Sequence, residues 1–192
     1  MITFARRGGL ILAWRVHIVS RRPGSERLVF SSLSLVPYLR PAFGPGAFFV
    51  SPGMSETDAD LRRILTETRT IAVVGWSPNP LRPSHGVAAY LARKGYRVVP
   101  VNPGQAGVVT AWGEVVRGSL AEIGEPVDMV DIFRNPDAVP PVVDAALMMT
   151  GLRTIWMQLG VVSETAAAKA RAAGVTVVMN RCPAIEIPRL GL

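Results

Sequence analysis

Cysteine is almost missing from this chain: Cys182 stands alone among 192 residues. A single thiol excludes an internal disulfide framework and fits a reducing, cytoplasmic setting. Histidine is nearly as scarce, with two in all, and no Cys/His cluster has the spacing of a metal site. No run of about 18 apolar residues occurs, so a membrane-spanning helix is not expected. Charged residues reach only 18% against 49% apolar, an ordinary globular balance. The length suits one well-buried domain and is too short for two large ones.

Acidic residues are scarce in one place only. Seven arginines against Glu26 give residues 1–53 a net +6, whereas 14 basic and 13 acidic groups leave residues 54–192 at +1. The overall charge of +7 is therefore no footprint for nucleic acid across the domain. Gly, Pro, Ser and Arg dominate Arg21–Pro52 without a lasting strand or helix period. Gly8–Trp14 behind Arg6-Arg7 resembles a signal-peptide core, but Arg15 and His17 interrupt it and no small-x-small site follows promptly. The expectation is a disordered basic extension or an over-translated upstream segment over residues 1–53, with Met54 as the natural start. The domain then spans residues 54–192.

From Met54 onward strands and helices alternate. Thr57-x-x-Asp60 reads as a capping pair for a helix to about Thr68, with Leu61, Ile64, Leu65 and Thr68 on one face. Ile71–Val74 is a continuous apolar run, as a central parallel strand requires. Ser84 reads as the N-cap of a helix stopped by Gly95. Arg97–Val101 is the second strand, and Ser119–Glu122 opens a single helical turn. Val127–Phe133 is the third strand, followed by a helix from Pro136 to about Met149 that begins at Asn135-Pro136. Met148-Met149 is expected to pack within that helix. Arg153–Gln158, a Ser163-capped helix over 163–173 and Val175–Met179 complete the pattern. Short alternating connections predict an α/β fold, a Rossmann-like doubly wound parallel sheet in one domain.

In such a sheet ligands bind at the carboxyl ends of the strands. The loop after the first strand reads Gly75-Trp76-Ser77-Pro78-Asn79-Pro80-Leu81-Arg82-Pro83-Ser84-His85. Gly75 permits close backbone approach, Ser77 offers a hydroxyl, Arg82 supplies charge, and Ser84 stands at a helix N-terminus that favours an anion. The turn could also hold no ligand. The fingerprint Gly-x-Gly-x-x-Gly is absent, and the second strand ends in Val101-Asn102-Pro103 without an acid for a ribose. That argues against the usual NAD site, although Arg82 and Arg97 leave room for a 2′-phosphate. His85 reads as a surface or packed histidine before a phosphate ligand. Asp131 reads as a brace within its strand, and Cys182 as a small buried residue, with Arg181 able to stabilise a thiolate as the rival reading. No Walker lysine, triad or nucleophile elbow is present.

Read together, Ile71-Ala-Val-Val-Gly-Trp-Ser-Pro-Asn-Pro, Arg82-Pro-Ser-His, Gly95-Tyr-Arg-Val-Val-Pro-Val-Asn-Pro, Val127-Asp-Met-Val-Asp-Ile-Phe-Arg, Trp156-Met-Gln-Leu-Gly and Asn180-Arg-Cys-Pro-Ala-Ile-Glu resemble the stand-alone coenzyme A-binding domain family. That family is related to the CoA-binding domain of the succinyl-CoA synthetase alpha subunit. The resemblance runs from about Ile71 to Leu190 and implies a Rossmann-like fold that binds CoA. It implies that Gly75, Ser77, Asn79 and Arg82 hold phosphates, with Trp76 and Ser84 in the same cradle. Val101 and Pro103 would border the adenosine, Phe133 and Arg134 would flank the pantetheine or phosphate region, and Gln158 and Gly160 would line the remaining edge. Asn180 departs from the family's more frequent aspartate. The chain has no room for a ligase domain with a phosphorylated histidine, so ligase activity does not carry over. The expected function is CoA or acyl-CoA binding by a carrier, sensor or regulatory module, with no catalytic residue named. A homo-oligomer or partner protein stays open. The rivals are an NAD(P)-dependent oxidoreductase and an interaction module that has lost its ligand.

Overall fold

The computed structural model describes residues 56–192 and the backbone of two short strand pieces near the start of the chain. The chain divides into two compact units, Met1–Phe48 and Phe49–Leu192. In the first, Arg6–Arg7 and Leu10–Ile11 pair antiparallel. The expectation of a disordered or over-translated segment over residues 1–53 otherwise lies outside the described residues.

The second unit begins with α1 (Asp58–Glu67), opened by a capping box in which Thr57 and Asp60 satisfy each other's backbone N–H groups. Then come β1 (Thr70–Val74), α2 (Pro83–Arg93), β2 (Arg97–Val101), β3 (Met129–Ile132), α3 (Val139–Ala146), β4 (Thr154–Met157), α4 (Glu164–Ala172), β5 (Thr176–Val178) and α5 (Pro183–Arg189). The five strands form one parallel sheet in the order β2-β1-β3-β4-β5. This is a doubly wound arrangement whose strand order reverses between β1 and β3.

Alternation along the strands sorts the core into two layers. Ile71, Val73, Val98, Met129, Trp156 and Val178 face α1, α2 and α5, where Leu61, Ile64, Leu91 and Ile187 pack. Ala72, Val74, Val130, Ile132, Ile155, Met157 and Val177 face α3 and α4. On α4 the buried residues are Ala166, Ala167 and Ala170, small enough to bring that helix close to the sheet. Pro100 is tolerated because β2 is the outer strand: its carbonyl faces outward and accepts from the Arg117 N–H at 2.9 Å, so the missing donor breaks no ladder to β1. Asp128 ties together the amino ends of the three central strands, β1, β3 and β4. Its carboxylate accepts from the Arg69 and Thr70 N–H groups at 2.8 and 2.9 Å and pairs with Arg153 at 2.6 Å.

Several local expectations are corrected. The N-cap of α2 is Arg82 and not Ser84, because Pro83 starts the helix at its first position, where a missing N–H costs nothing. The segment read as one helix from Pro136 is a 3-10 turn, Pro136–Ala138, followed by the shorter α3; Pro140 and Pro141 supply no donors to continue a single helix from Pro136. Met148 lies beyond α3 and is exposed, while Met149 packs against the core. The third, fourth and fifth strands are each shorter at both ends than the expected spans Val127–Phe133, Arg153–Gln158 and Val175–Met179. Helix α5 follows Cys182-Pro183, again with proline at its start, and was not foreseen.

Candidate functional site

The turns at the carboxyl ends of β1, β2 and β3 are stitched together by the backbone. Gly75 N–H donates to the Val101 carbonyl at 2.9 Å, and Phe133 N–H donates to the Val74 carbonyl at 2.8 Å. Gly75 has φ +89°, and a Cβ there would collide with the Phe133 carbonyl oxygen and press on Arg134 Cδ. Both the left-handed backbone and the close approach require glycine. Asn102 completes the stitching: its Nδ2 donates to the Trp76 carbonyl at 2.6 Å and its Oδ1 accepts from Gly104 N–H at 2.9 Å.

Beside these turns, at the reversal of strand order, lies a cleft of about 320 Å³. Its floor is Val74, Gly75 and Val101, and one wall is Pro103, Gly118, Ser119 and Leu120. The other wall is Ala138, Pro141, Val142 and Ala145, with Arg134 at the mouth. Glu122 holds the first wall in shape by accepting from Gly118 N–H at 2.8 Å and from the Ser119 hydroxyl at 3.1 Å. The cleft is thus mostly apolar with a guanidinium at one end. Arg134 and Arg82 are both exposed and make no ion pair among the described residues.

Of the residues singled out in the sequence, Gly75, Val101, Pro103 and Arg134 line this cleft. The loop of Ser77, Asn79 and Arg82 lies next to it in the chain and is internally braced. Ser77 Oγ accepts from Asn79 N–H at 3.2 Å, Asn79 Oδ1 accepts from Leu81 N–H at 2.9 Å, and the Asn79 carbonyl accepts from Arg82 N–H at 3.0 Å. Ser84 is buried in the first turn of α2, where Pro83 has no N–H and the His85 N–H donates to the Arg82 carbonyl at 3.0 Å, which leaves the Ser84 N–H without an acceptor among the described residues. Trp76 points away into the core. Its ring stacks on His85 at 6.3 Å, meets Trp112 edge-on at 6.2 Å, and leaves its indole N–H buried without a partner among the described residues.

Phe133 packs against the same core. Gln158 turns inward and donates through Nε2 to both Asp131 oxygens at 2.9 and 3.0 Å. Burial pushes the Asp131 carboxyl up to about 7, against the opposing hydrogen bond from Gln158. Gly160, at φ +74°, donates its N–H to Asn180 Oδ1 at 2.8 Å. Asn180 itself adopts φ +55°, a conformation asparagine tolerates better than most residues.

Two rival readings are set aside by position, and the expectation of Cys182 as a small buried residue holds. Arg97 opens β2 at its amino end, opposite the Val101 end that lines the cleft, and pairs there with Glu125 at 2.5 Å and Glu114 at 3.7 Å, so it cannot meet a phosphate in the cleft. Arg181 pairs with Glu186 at 3.1 Å. Cys182 is buried, and burial pushes its thiol up, away from a reactive thiolate.

The residues that sequence reading missed are the wall from α3 and its preceding turn, and Gly118–Leu120 of the other wall. Ala138, Pro141, Val142 and Ala145 repeat at helical spacing and form a second apolar stripe beside the core stripe of Val139, Val143 and Ala146. That stripe was legible as a pattern but not as a cleft wall. Gly118–Leu120 carries no periodic signal at all.

A family model described as CoA binding domain matches residues 69–188. The uncharacterized protein YneT of Bacillus subtilis (strain 168) is 37% identical over 124 residues, which span 65% of this chain and 89% of YneT. A solved Thermus thermophilus structure is 38% identical, with a TM-score of 0.67 over 70% of this chain and 99% of that one. A hypothetical protein from Pyrococcus horikoshii OT3 is 35% identical, with a TM-score of 0.68 over 74% of this chain and 98% of that one. The fold, the cleft at the strand reversal and the match across the sheet agree, and this chain belongs to the CoA-binding domain family.

Proposed function

We propose that this protein binds coenzyme A or an acyl-CoA in the cleft between β1, β2 and α3, as a carrier, sensor or regulatory module. The observation that carries the reading is an apolar slot with Arg134, which has no ion pair among the described residues, beside the Gly75 turn. An adenosine fits the slot walled by Pro103, Leu120 and Val142. The pyrophosphate meets Arg134, Arg82, the Ser77 hydroxyl and the Ser84 N–H in the first turn of α2, where the helix dipole favours an anion. Gly75 contributes room and geometry; its own N–H is already given to Val101.

No acid stands at the end of β2, where a dinucleotide's ribose hydroxyls would seek one. Asn102 holds that position and spends its side chain on the two neighbouring turns. Calorimetric titration of the full chain with CoA, 3′-dephospho-CoA, NADH and NADPH tests the reading. Saturable CoA binding that exceeds both reduced nicotinamide nucleotides is expected. Preference for NADH or NADPH would point to an oxidoreductase, and no binding of any of the four would point to an interaction module without a ligand.

A further inference from the structure

Exposed apolar side chains lie in two hydrogen-bonded loops at the ligand edge of the sheet, away from the cleft itself. Leu159 is 57% exposed, Val162 44% and Ile185 51%. The first two follow β4, and the third lies in the first turn of α5, after β5. The two loops are joined by the Gly160–Asn180 hydrogen bond at 2.8 Å and by Arg181 N–H donating to the Met157 carbonyl at 3.4 Å. Exposed apolar side chains are ordinary when scattered; grouped along a ligand edge they mark a surface that something covers.

The reach of the ligand says what covers it. The cleft of about 320 Å³ stands at the lower end of ligand-pocket volumes, which run from about 300 to 1,000 Å³. It takes a nucleoside, and the rest of a CoA molecule must lie outside. Pro103 and Gly118–Leu120 wall the β2 side, so an arm leaving the Gly75 turn runs over β3 towards β4 and β5. A pantetheine arm has about as many chain atoms as four residues, or roughly 13 Å when extended at ~3.3 Å per residue. Strands lie about 4.8 Å apart, which puts β4 roughly 10 Å and β5 roughly 14 Å from β1. The sulfur end of the arm therefore arrives between the loops that carry Leu159, Val162 and Ile185.

We infer that these three side chains form a platform for the acyl chain of a medium-chain acyl-CoA, and that the protein selects such thioesters over free CoA. This rests on the CoA reading above. Full-length protein is titrated calorimetrically with CoA, acetyl-CoA and octanoyl-CoA. Acetyl-CoA is expected to bind like CoA, and octanoyl-CoA about tenfold tighter or more, from burial of its methylenes. The triple variant Leu159→Ser, Val162→Ser, Ile185→Ser brings the octanoyl-to-CoA affinity ratio close to one. Met148→Ser, an 86% exposed position beyond α3, leaves that ratio unchanged. Thermal unfolding of the triple variant checks that it is folded; if it is not, Ile185→Ser alone is expected to lower the ratio. Equal affinities for CoA and octanoyl-CoA, or a ratio that survives the substitutions in folded protein, overturn the platform and leave the CoA reading standing. Failure of CoA and both thioesters to bind overturns the CoA reading and the platform with it.

Discussion

Asp131 is the residue whose chemistry departs furthest from its sequence neighbourhood. It sits fully buried in the central strand, with Gln158 donating to both oxygens and Cys182 as the titratable group that faces it. Its carboxyl rises from 3.8 to about 7 because burial penalises the charge. The folded state then keeps a proton that the unfolded chain releases above about pH 4, so this group's contribution to stability declines as pH rises towards 7 and is level beyond. Asp131→Asn removes that loss. Urea unfolding at pH 4.5 and 7.5 should show the variant gaining on the natural protein at the higher pH, by up to a few kcal/mol. An unchanged difference at the two pH values would mean that Asp131 does not titrate in this range.

Arg134 and Arg82 present the other residue-scale question, since neither has a carboxylate partner among the described residues. Arg134→Ala and Arg82→Ala should each weaken CoA binding about tenfold or more, the size of a lost charge-assisted hydrogen bond. Both are exposed, and the Arg82 side chain makes no cap bond, so the melting temperature without ligand should hold.

Among the elements, α3 carries the most information for its length. Its eight residues bury Val139, Val143 and Ala146 against the sheet and turn Pro141, Val142 and Ala145 to the cleft. The two stripes predict opposite outcomes for the same chemical change at adjacent positions. Ala145→Trp should fill the slot and abolish CoA binding with little loss of stability, because the residue is exposed. Ala146→Trp should unfold or strongly destabilise the domain, since overpacking a buried position costs about 1–3 kcal/mol and often more. Circular dichroism melts paired with titrations separate the two. The sequence alone displayed one helix from Pro136 with apolar residues almost all round, and nothing in that pattern told the core stripe from the ligand stripe. Helix α5 was hidden for a related reason: with Pro183 at its start and Pro188 inside it, only packing of Ile187 and Leu190 against the sheet decides that it forms.

For the molecule as a whole, the site is a property of assembly. Its lining comes from the ends of three strands, the Gly118–Leu120 turn and a helix, all separated in the chain. A ligand that bridges them binds the folded state alone, so CoA at one hundred times its dissociation constant should add about 2.7 kcal/mol of stability. Thermal unfolding across a CoA series should show the melting temperature rising with concentration, and a flat series would contradict a site built this way. By itself the sequence determined the alternation of strands and helices, the buried strand β1, the glycine at its end and the family to which these segments belong. Those features are local: apolar runs, caps and stops act within a few residues of themselves. Tertiary structure alone decided that Trp76 and Gln158 turn inward, that Arg97 pairs with Glu125 and Glu114, and that Gly118–Leu120 faces α3 across a slot. Each of these depends on strand order and on which face of the sheet a side chain meets, and such partners lie tens of residues away in the chain.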